Sequence, residues 1–263
     1  MTAPSLDLAL RALTPHFGAV ALCGARLVPV AFLCPALGGQ GVPTTVKLGL
    51  CLSLSVFFHA AAGVAPVGPL DGGSFAAGAL RELLFGTALG LVAALPFDSA
   101  RIGGKLIELF RGSTAEAALP SAGTRESALG DGLTQLLVAL AATGAGLPLV
   151  LRGLTHSFAV VHLGQPPAGE DLAVHVARLV GGAFAVGLAI GAPIAGLSLA
   201  IDASLGLLAR AMPQLNLQDT GAPLRILVGG AAVWLGLGVL VSRLLEVLAR
   251  TELSLLSLVE LAR

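Results

Sequence analysis

Four stretches of the chain carry no Asp, Glu, Lys or Arg, and each is close to the length that crosses a lipid bilayer. They cover residues 48–70, 132–151, 179–201 and 226–242. A helix needs about 20 predominantly apolar residues to span the hydrocarbon core. Only 11% of the 263 residues are charged, against about 25% in ordinary globular domains. These runs predict a membrane protein or part of a membrane-embedded assembly.

The spacing of apolar residues and helix breakers predicts an all-α chain. Alternation typical of strands is scarce, and many of the 35 glycines fall inside apolar runs. Small residues at such positions let helices approach one another closely in membrane proteins. We predict helices over residues 6–34, 42–63, 74–98, 99–111, 130–160, 171–210, 221–248 and 251–262.

The predicted helix over residues 171–210 is too long for a simple bilayer span. At 1.5 Å per residue it would extend about 60 Å, twice the ~30 Å hydrocarbon core. Either the chain bends back near Pro193 or the helix lies within protein. The charges in the connections are nearly balanced, so the positive-inside rule predicts no orientation.

Residues 101–131 form the one long polar stretch. Its first third is amphipathic, with Arg101, Lys105 and Glu108 on one face. From Gly112 onward the residues are small, and Pro120 interrupts helical continuity, so a loop is expected. This loop is either a solvated connector or a functional element, since loops longer than ~12 residues are often functional.

The last residues, about 243–263, predict an amphipathic C-terminal tail. Glu246 and Arg250 form an i,i+4 pair in the favourable order. We expect the tail to cap the last helix, with docking of a partner as the alternative. Its predicted apolar side consists of Leu244, Leu245, Val247 and Leu248.

No complete motif for catalysis, metal binding or a cofactor is present in the sequence. Gly103-Gly104-Lys105 lacks the first glycine and the final Ser or Thr of a phosphate-binding loop. The five histidines do not cluster at ligand spacing, and there is no basic run typical of nucleic-acid binding. We therefore expect no enzyme activity, no cofactor and no nucleic-acid partner. The cysteines form no C-x-x-C pair and predict buried thiols: Cys23, Cys34 and Cys51.

Charged residues inside or beside the apolar runs are more informative. A charge costs free energy in lipid and normally faces protein or a water-filled path. Neutral pairs that hold neighbouring subunits together would explain such residues, and so would a proton or ion relay; we favour the pairs. The residues concerned are Arg26, Arg81, Glu82, Asp98, Asp202 and Arg210.

A polar, proline-containing stretch, RAMPQLNLQDTGAPLRI, separates the last two long apolar runs. We predict that Pro213 ends one helix and that Gly221 and Pro223 begin the next. Side-chain amides and a carboxylate between them could satisfy the exposed backbone groups at both helix ends. The stretch predicts a corner between two helices rather than a catalytic site.

The same stretch carries a family resemblance. RAMPQLNL at 210–217, followed by GAPLR at 221–225, resembles the R-x-x-P-x-L-N-[VL] … P-[LI]-[KR] signature of the FliR/SctT family, the T subunit of the type III secretion export apparatus. Residues 26–47 resemble its N-terminal hairpin, and residues 82–103 resemble its E-x-x-x-G-x-x-x-G…F…G helix. The resemblance covers essentially the whole chain. Arg111-Gly112, Ser127-Ala-Leu-Gly130 and Gln135 are closer to the injectisome branch than to the flagellar one.

The resemblance implies a single domain over residues 1–263 that acts as a non-enzymatic component of a type III export gate. In this family one T subunit assembles with several R-type and S-type subunits around a conduit for unfolded secreted proteins, and the U-type switch subunit is a further expected partner. The expected location is the bacterial inner membrane, within the base of the secretion system. Helical hairpins would pack into the assembly instead of crossing the bilayer as independent spans.

The resemblance also implies residue roles. A gate loop at about 111–130 would close the conduit at rest through Arg111, Gly112, Ala115 and Pro120. Structural or subunit contacts would be made by Arg26, Pro29, Pro35, Pro43, Glu82, Gly86, Gly90, Arg210, Pro213, Gln214, Asn216, Pro223 and Arg225.

Two other functions stay open at the level of sequence. An ion-coupled small-molecule permease would use Asp98, Asp202 and Arg210 as a relay, with a helix broken at Pro193. A pure scaffold would place no residue against a conduit.

Overall fold

The computed structural model describes residues 3–38, 42–61, 63–65, 71–111, 116–117, 126–144, 146–165, 171–212 and 217–263. Within these ranges the chain is all-α, as predicted. The helices are α1 Ala3–Leu33, α2 Thr44–Ala61, α3 Gly72–Arg111, α4 Ala128–Thr143, α5 Gly146–Val160, α6 Leu172–Ala211 and α7 Leu217–Leu261. A 3-10 turn lies at Pro35–Leu37, and a two-residue antiparallel pair joins β1 Glu116–Ala117 to β2 Glu126–Ser127.

Several predicted helix boundaries were wrong. The predicted break at residue 99 is absent, because α3 continues through Ser99, whose hydroxyl donates to the Leu95 carbonyl one turn earlier. The predicted helices at 221–248 and 251–262 are one helix, α7. Conversely, the predicted run at 130–160 is divided between α4 and α5 near Gly144, a residue type that favours helix ends.

The two prolines predicted to shape the last helices lie within regular helix. α6 is continuous through Pro193, so the chain does not bend back there. The proline is solvent-exposed, away from the residues that α6 buries. α7 begins at Leu217, four residues before the predicted start, which places Pro223 in its second turn. Asp219 is thereby in the first turn, where an acidic residue type is favoured.

The helices form two compact units. Unit 1 comprises Met1–Ala94, Gly144–Leu179 and Ala249–Arg263, and unit 2 comprises Leu95–Thr143 and Val180–Leu248. Each unit combines segments that are far apart in the sequence. No single position along the chain therefore separates them, and the single domain implied by the resemblance stays a prediction.

The C-terminal tail packs inside unit 1 from Ala249 onward. A Cβ placed on Gly153 of α5 would lie 2.7 Å from the Leu255 side chain, so the glycine makes room for that leucine. Leu255 and Leu258 are fully buried. In unit 2, Leu244 is buried and Leu245 is exposed, and the predicted apolar side of the tail stays a prediction.

Unit 2 is held by close packing between α3 and α6. Glycines on both helices receive side chains of the other, since a Cβ on Gly103 would lie 2.8 Å from Ile190 and a Cβ on Gly187 would lie 2.8 Å from Ile102. The Ser99 hydroxyl also donates to the Ala183 carbonyl at 3.0 Å. Small residues thus permit the backbone approach that membrane helices use for association.

In the described part of the chain, four helical segments are long and apolar enough to cross a membrane: Leu13–Leu33, Gly72–Phe110, Leu172–Ala211 and Ile226–Leu261. The count becomes five if α4 and α5 together form one broken span. Three of the four are 36, 39 or 40 residues long, well beyond the ~20 residues that a bilayer requires. The most apolar stretch of the α3 span is 67% buried, and that of the α7 span is 17% buried.

Candidate functional site

A buried ion pair joins α1 to α3. The side chains of Arg26 and Glu82 are 0% and 1% exposed. Arg26 Nε donates to Glu82 Oε2 at 2.6 Å, and Nη2 donates to Oε1 at 3.1 Å. This two-bond geometry is the strongest arrangement between a guanidinium and a carboxylate. We had favoured neutral pairs between subunits, but this pair forms within the chain.

The remaining polar groups of the pair meet the end of α5. Arg26 Nη1 donates to the Ser157 carbonyl at 2.9 Å, and Nη2 donates to the Val161 carbonyl at 3.0 Å. The Ser157 carbonyl also accepts from the Val161 N–H at 3.0 Å, so Arg26 is its second donor, and a positive charge at the C-terminal end of a helix is favoured by the helix dipole. Arg26 therefore ties α1, α3 and the end of α5 together. We define this group as the Arg26 cluster: Arg26, Glu82, Ser157, Val161 and Gly164.

Two aromatic rings cover the guanidinium of Arg26. Its Cζ atom lies 4.5 Å from the centroid of the Phe158 ring and 5.1 Å from that of Phe85. A cation over an aromatic face within about 6 Å is attracted by the ring, more strongly when water is excluded. The rings thus compensate part of the cost of burying the charge.

Gly164 completes the cluster, and sequence reasoning missed it. Its N–H donates to Glu82 Oε1 at 2.8 Å, and its carbonyl accepts from Arg81 Nη1 at 3.3 Å. Its φ of 77° lies in the left-handed region, which favours glycine. A glycine shortly after a helix end is the signal that could have indicated it.

Two glycines on α3 bring its backbone against α1. A Cβ on Gly86 would collide with the Arg26 carbonyl, and a Cβ on Gly90 would lie 2.9 Å from Val30 Cα and 3.0 Å from the Pro29 carbonyl. Glu82, Gly86 and Gly90 are spaced by four residues and share one helix face. The E-x-x-x-G-x-x-x-G pattern therefore places the carboxylate beside Arg26 and removes the side chains that would keep α1 away.

The Arg26 cluster stabilises the packing of the helices that it joins. Opposite charges are matched by two hydrogen bonds, and two carbonyls, one N–H and two aromatic rings complete the shell of partners. Burial of a charge costs free energy unless it is paired in this way, and removal of one partner leaves an uncompensated charge. The cluster consequently fixes how α1, α3 and α5 pack in unit 1.

The N-terminal hairpin has a proline at each end of its turn. Pro35 begins the 3-10 turn after α1, and the Pro43 carbonyl accepts from the N–H of Val46 at 3.0 Å and of Lys47 at 3.2 Å at the start of α2. Lys47 is only 5% exposed, and its Nζ lies 4.8 Å from the Phe32 ring centroid. The hairpin thus carries a second buried cation, held by a ring.

The corner between α6 and α7 is partly described. Arg210 is exposed in the last turn of α6, and residues 212–216 connect it to Leu217. Pro213, Gln214 and Asn216 lie outside the described residues, as do the side chains of Pro223 and Arg225. The roles expected of these residues stay predictions.

A row of paired contacts joins α3 to α4 in unit 2, and we call it the α3–α4 ladder. Thr134 Oγ1 donates to the Phe97 carbonyl at 3.4 Å, and Arg101 Nε lies 3.6 Å from Asp131 Oδ1. A Cβ on Gly104 would lie 2.5 Å from the Cα of the facing glycine on α4. The pairs, in order, are Phe97 with Thr134, Arg101 with Asp131, Gly104 with Gly130, and Glu108 with Ser127.

The last pair of the ladder lies at the first turn of α4. Glu108 Oε2 accepts hydrogen bonds from the Ser127 hydroxyl and from the Leu129 N–H, the latter at 3.3 Å. Ser127 Oγ also accepts from the Gly130 N–H at 3.0 Å, which is the geometry of a helix N-cap. Glu108 is 8% exposed, whereas the amphipathic pattern had placed it on a polar face. Sequence reasoning therefore missed its contact with α4.

The predicted gate loop lies between α3 and α4 in the sequence. Arg111 is the last residue of α3, and the pairing of β1 with β2 brings Glu116 opposite Ser127. Gly112, Ala115 and Pro120 lie outside the described residues, and so does the Arg111 side chain. The gate role of these four residues stays a prediction.

Two histidines meet although their spacing in the sequence suggested no cluster. His16 Nδ1 and His59 Nε2 are 2.9 Å apart, because the hairpin of α1 and α2 brings together residues 43 positions apart. Within the described part of the chain, no group of three or more His, Cys, Asp or Glu residues could hold a metal ion. All three cysteines are buried, in agreement with the prediction for them.

Comparison with known proteins connects this structure to bacterial export. Residues 17–251 match the family described as bacterial export proteins, family 1. The chain is 27% identical to the flagellar biosynthetic protein FliR of Bacillus subtilis (strain 168), over 74% of this chain and 76% of that protein. It is 28% identical to FliR of Escherichia coli (strain K12), over 78% of each chain. FliR of Aquifex aeolicus (strain VF5) is also 28% identical, over 78% of this chain and 79% of the relative.

These relatives are flagellar proteins, and the predicted injectisome branch is not supported. The motifs that suggested that branch surround the loop between α3 and α4, which is a small part of the matched region. Four candidate spans agree with an export component that resides in a membrane. Because the family match extends over residues 17–251, the chain belongs to family 1 of the bacterial export proteins, the family of FliR.

Proposed function

We propose that this chain is a structural, non-enzymatic component of the export gate of a type III apparatus of the flagellar kind, in the bacterial inner membrane. The single observation that carries the proposal is the family match over residues 17–251. The flagellar relatives favour a flagellar base over an injectisome. The apolar helices support a membrane location, because each candidate span is long enough to cross the hydrocarbon core.

The gate would contain one copy of this chain with R-type and S-type subunits and the U-type switch subunit. Exposed apolar surface supports such neighbours. Trp234 and Leu235 on α7 are each 76% exposed, and Leu227 is 71% exposed. Exposed apolar patches mark surfaces that lipid or another protein covers. Helices of 36 to 40 residues exceed a single span, which favours packing within an assembly over independent crossing.

The segment at about 111–130 would close the conduit against ions while letting an unfolded chain displace it. The α3–α4 ladder supports this assignment, since it holds the two ends of the segment to one another. Small residues in the segment offer few anchoring side-chain contacts, so displacement would cost little. These residues are Gly112, Ala115, Ala117 and Ala118.

Deletion of residues 113–124 tests the gate. The variant is expressed with the neighbouring membrane subunits, and the complex is recovered in mild detergent and reconstituted for ion-conductance measurements. We expect normal assembly and raised conductance. A second variant replaces the same twelve positions with glycine and serine, which separates loss of chain length from loss of side chains. Unchanged conductance of both variants would remove the gate role.

The permease alternative is less favoured. It required a helix broken at Pro193, whereas α6 is continuous there. Asp98 and Asp202 are half-buried, and Arg210 is exposed near the end of α6. Uptake of a small solute by proteoliposomes that contain this chain alone would favour the permease.

A further inference from the structure

We propose that Glu108 is a positioning residue that caps α4 from α3 and thereby fixes the return point of the segment between the two helices. The capping role stands on the geometry of unit 2 alone. Its consequence for ion conductance rests on the proposed gate function. Nothing in the family match assigns a role to this carboxylate.

The local sequence supplies one cap acceptor for α4, because Ser127 Oγ accepts from the Gly130 N–H, but the acceptor for the Leu129 N–H comes from α3. In a capping box, the side chain at the third helical position is Glu or Gln and supplies a carboxylate or amide oxygen at the start of the helix. The third position of α4 is Gly130, which has no side chain to do so. The Glu108 carboxylate accepts from the Leu129 N–H at the second position instead, and from the Ser127 hydroxyl at the N-cap. The cap is thus completed by a neighbouring helix.

The close approach of α3 leaves little room for a side chain at Gly130. The acceptor of the Leu129 N–H therefore comes from α3 rather than from this position. A Cβ on Gly130 would lie 3.0 Å from the Arg101 carbonyl and 3.2 Å from Lys105 Cγ. A Cβ on the facing Gly104 would likewise collide with the backbone of Gly130. A glutamate at this position would separate the two helices. Glycine permits their close approach, and Glu108, one turn further along α3, replaces the missing carboxylate.

Charge and burial both favour this arrangement. The start of a helix carries a partial positive charge, so a carboxylate is stabilised there. Glu108 is 8% exposed, and a buried carboxylate requires hydrogen-bond donors to offset its lost hydration. Loss of Glu108 would leave the Leu129 N–H without its acceptor and would allow the first turn of α4 to fray. The connection between α3 and α4 would then become longer and less constrained.

The experiment compares four variants in the co-expressed complex: Glu108→Ala, Glu108→Gln, Ser127→Ala and, as control, Thr134→Val. Hydrogen exchange of peptides covering residues 127–133 reports the cap, and ion conductance reports the gate. We expect Glu108→Ala to accelerate exchange by about 5- to 30-fold, the effect of losing a helix cap, and to raise conductance. Glu108→Gln keeps an acceptor oxygen without the charge and should give a smaller acceleration. Thr134→Val removes a hydroxyl that donates to the Phe97 and Gly130 carbonyls, but it takes no acceptor from a backbone N–H, so it should accelerate exchange of the first turn less than Glu108→Ala does.

The outcomes separate this inference from the gate proposal. Exchange in Glu108→Ala no faster than in Thr134→Val overturns the capping role, even if deletion of residues 113–124 causes a leak. Faster exchange with unchanged conductance in both Glu108→Ala and the deletion supports the cap and overturns the gate. If Glu108→Ala fails to assemble, Glu108→Gln and Ser127→Ala decide. Faster hydrogen exchange in both of these variants supports the capping role. If exchange is accelerated in neither variant, the capping role is overturned.

Discussion

The two halves of α3 hold their neighbours by different chemistry. In unit 1, Glu82 pairs with Arg26 in full burial, and the pair also binds the end of α5. In unit 2, Gly103 and Gly104 admit α6 and α4 at close range, and one carboxylate caps α4. Glycines allow close approach in both halves, through Gly86 and Gly90 in the first half, and the first half adds a fully buried ion pair.

The backbone that each half meets explains this difference. At the end of α5 the Ser157 and Val161 carbonyls accept from Arg26, and the helix dipole favours a positive charge there. Gly187 and Gly191 lie in the interior of α6, where the helix satisfies its own backbone. Close contact is then sufficient, and small side chains provide it. A charged donor is therefore favoured at the end of α5, whereas small residues are favoured along the interior of α6.

Removal of one member of the ion pair should have the largest effect. Arg26→Ala or Glu82→Ala leaves an uncompensated buried charge, which costs about 3–5 kcal/mol. We expect strongly reduced accumulation in membranes and a lower unfolding temperature in detergent. The double variant Arg26→Met with Glu82→Leu should recover most of the loss, because apolar replacement of both partners is often neutral. Single variants as stable as the natural chain would contradict the structural role of the pair.

Glycine substitutions probe close packing in both halves. Gly86→Ala should collide with the Arg26 backbone, and Gly187→Ala should collide with Ile102. Each should lower stability by about 1–3 kcal/mol, the usual cost of overpacking. Gly182→Ala is the control, since a Cβ there meets nothing within 4 Å, and it should stabilise α6 by about 0.5–1 kcal/mol. Equal effects in all three would show that the contacts do not matter.

The turn that supports Glu82 can be tested with two glycines of similar conformation. Gly164 has a φ of 77° and Gly63 a φ of 70°. Alanine at either position should cost about 1–2 kcal/mol, because the left-handed region is unfavourable for residues with a Cβ. Gly164→Ala should cost more, since relief of the strain would move the backbone N–H that donates to the buried Glu82 carboxylate. Thermal unfolding of both variants gives the difference, and a larger loss for Gly63→Ala would weaken the account.

The smallest effect is expected at Lys47. Lys47→Met keeps the apolar stem and removes the charge that lies over the Phe32 ring. The cation–π contact contributes about 0.5–2 kcal/mol, and removal of a buried charge offsets part of that loss. A change below about 1 kcal/mol in the unfolding free energy is expected. A loss of stability as large as that of Arg26→Ala would mean that the single contact between Lys47 and Phe32 contributes as much as all contacts of the Arg26 cluster.

The sequence predicted the features that depend on local pattern. Charge-free runs indicated apolar helices, and the family resemblance singled out Glu82, Gly86 and Gly90. The sequence did not predict the partners from α5, because backbone carbonyls at Ser157 and Val161 carry no sequence signature. It also did not predict the contact of Glu108 with α4.

Helical periodicity placed Glu108 on one face with Arg101, but it did not show that this face packs against α4. The start of α7 was misplaced, because prolines usually open helices and Pro223 instead lies in the second turn.

Native mass spectrometry tests the central claim most directly. The tagged chain would be purified in mild detergent from cells that express the neighbouring membrane genes. The account predicts one copy of this chain in a complex with several copies of small hydrophobic subunits. A stable monomer or homodimer that binds none of those subunits would contradict it.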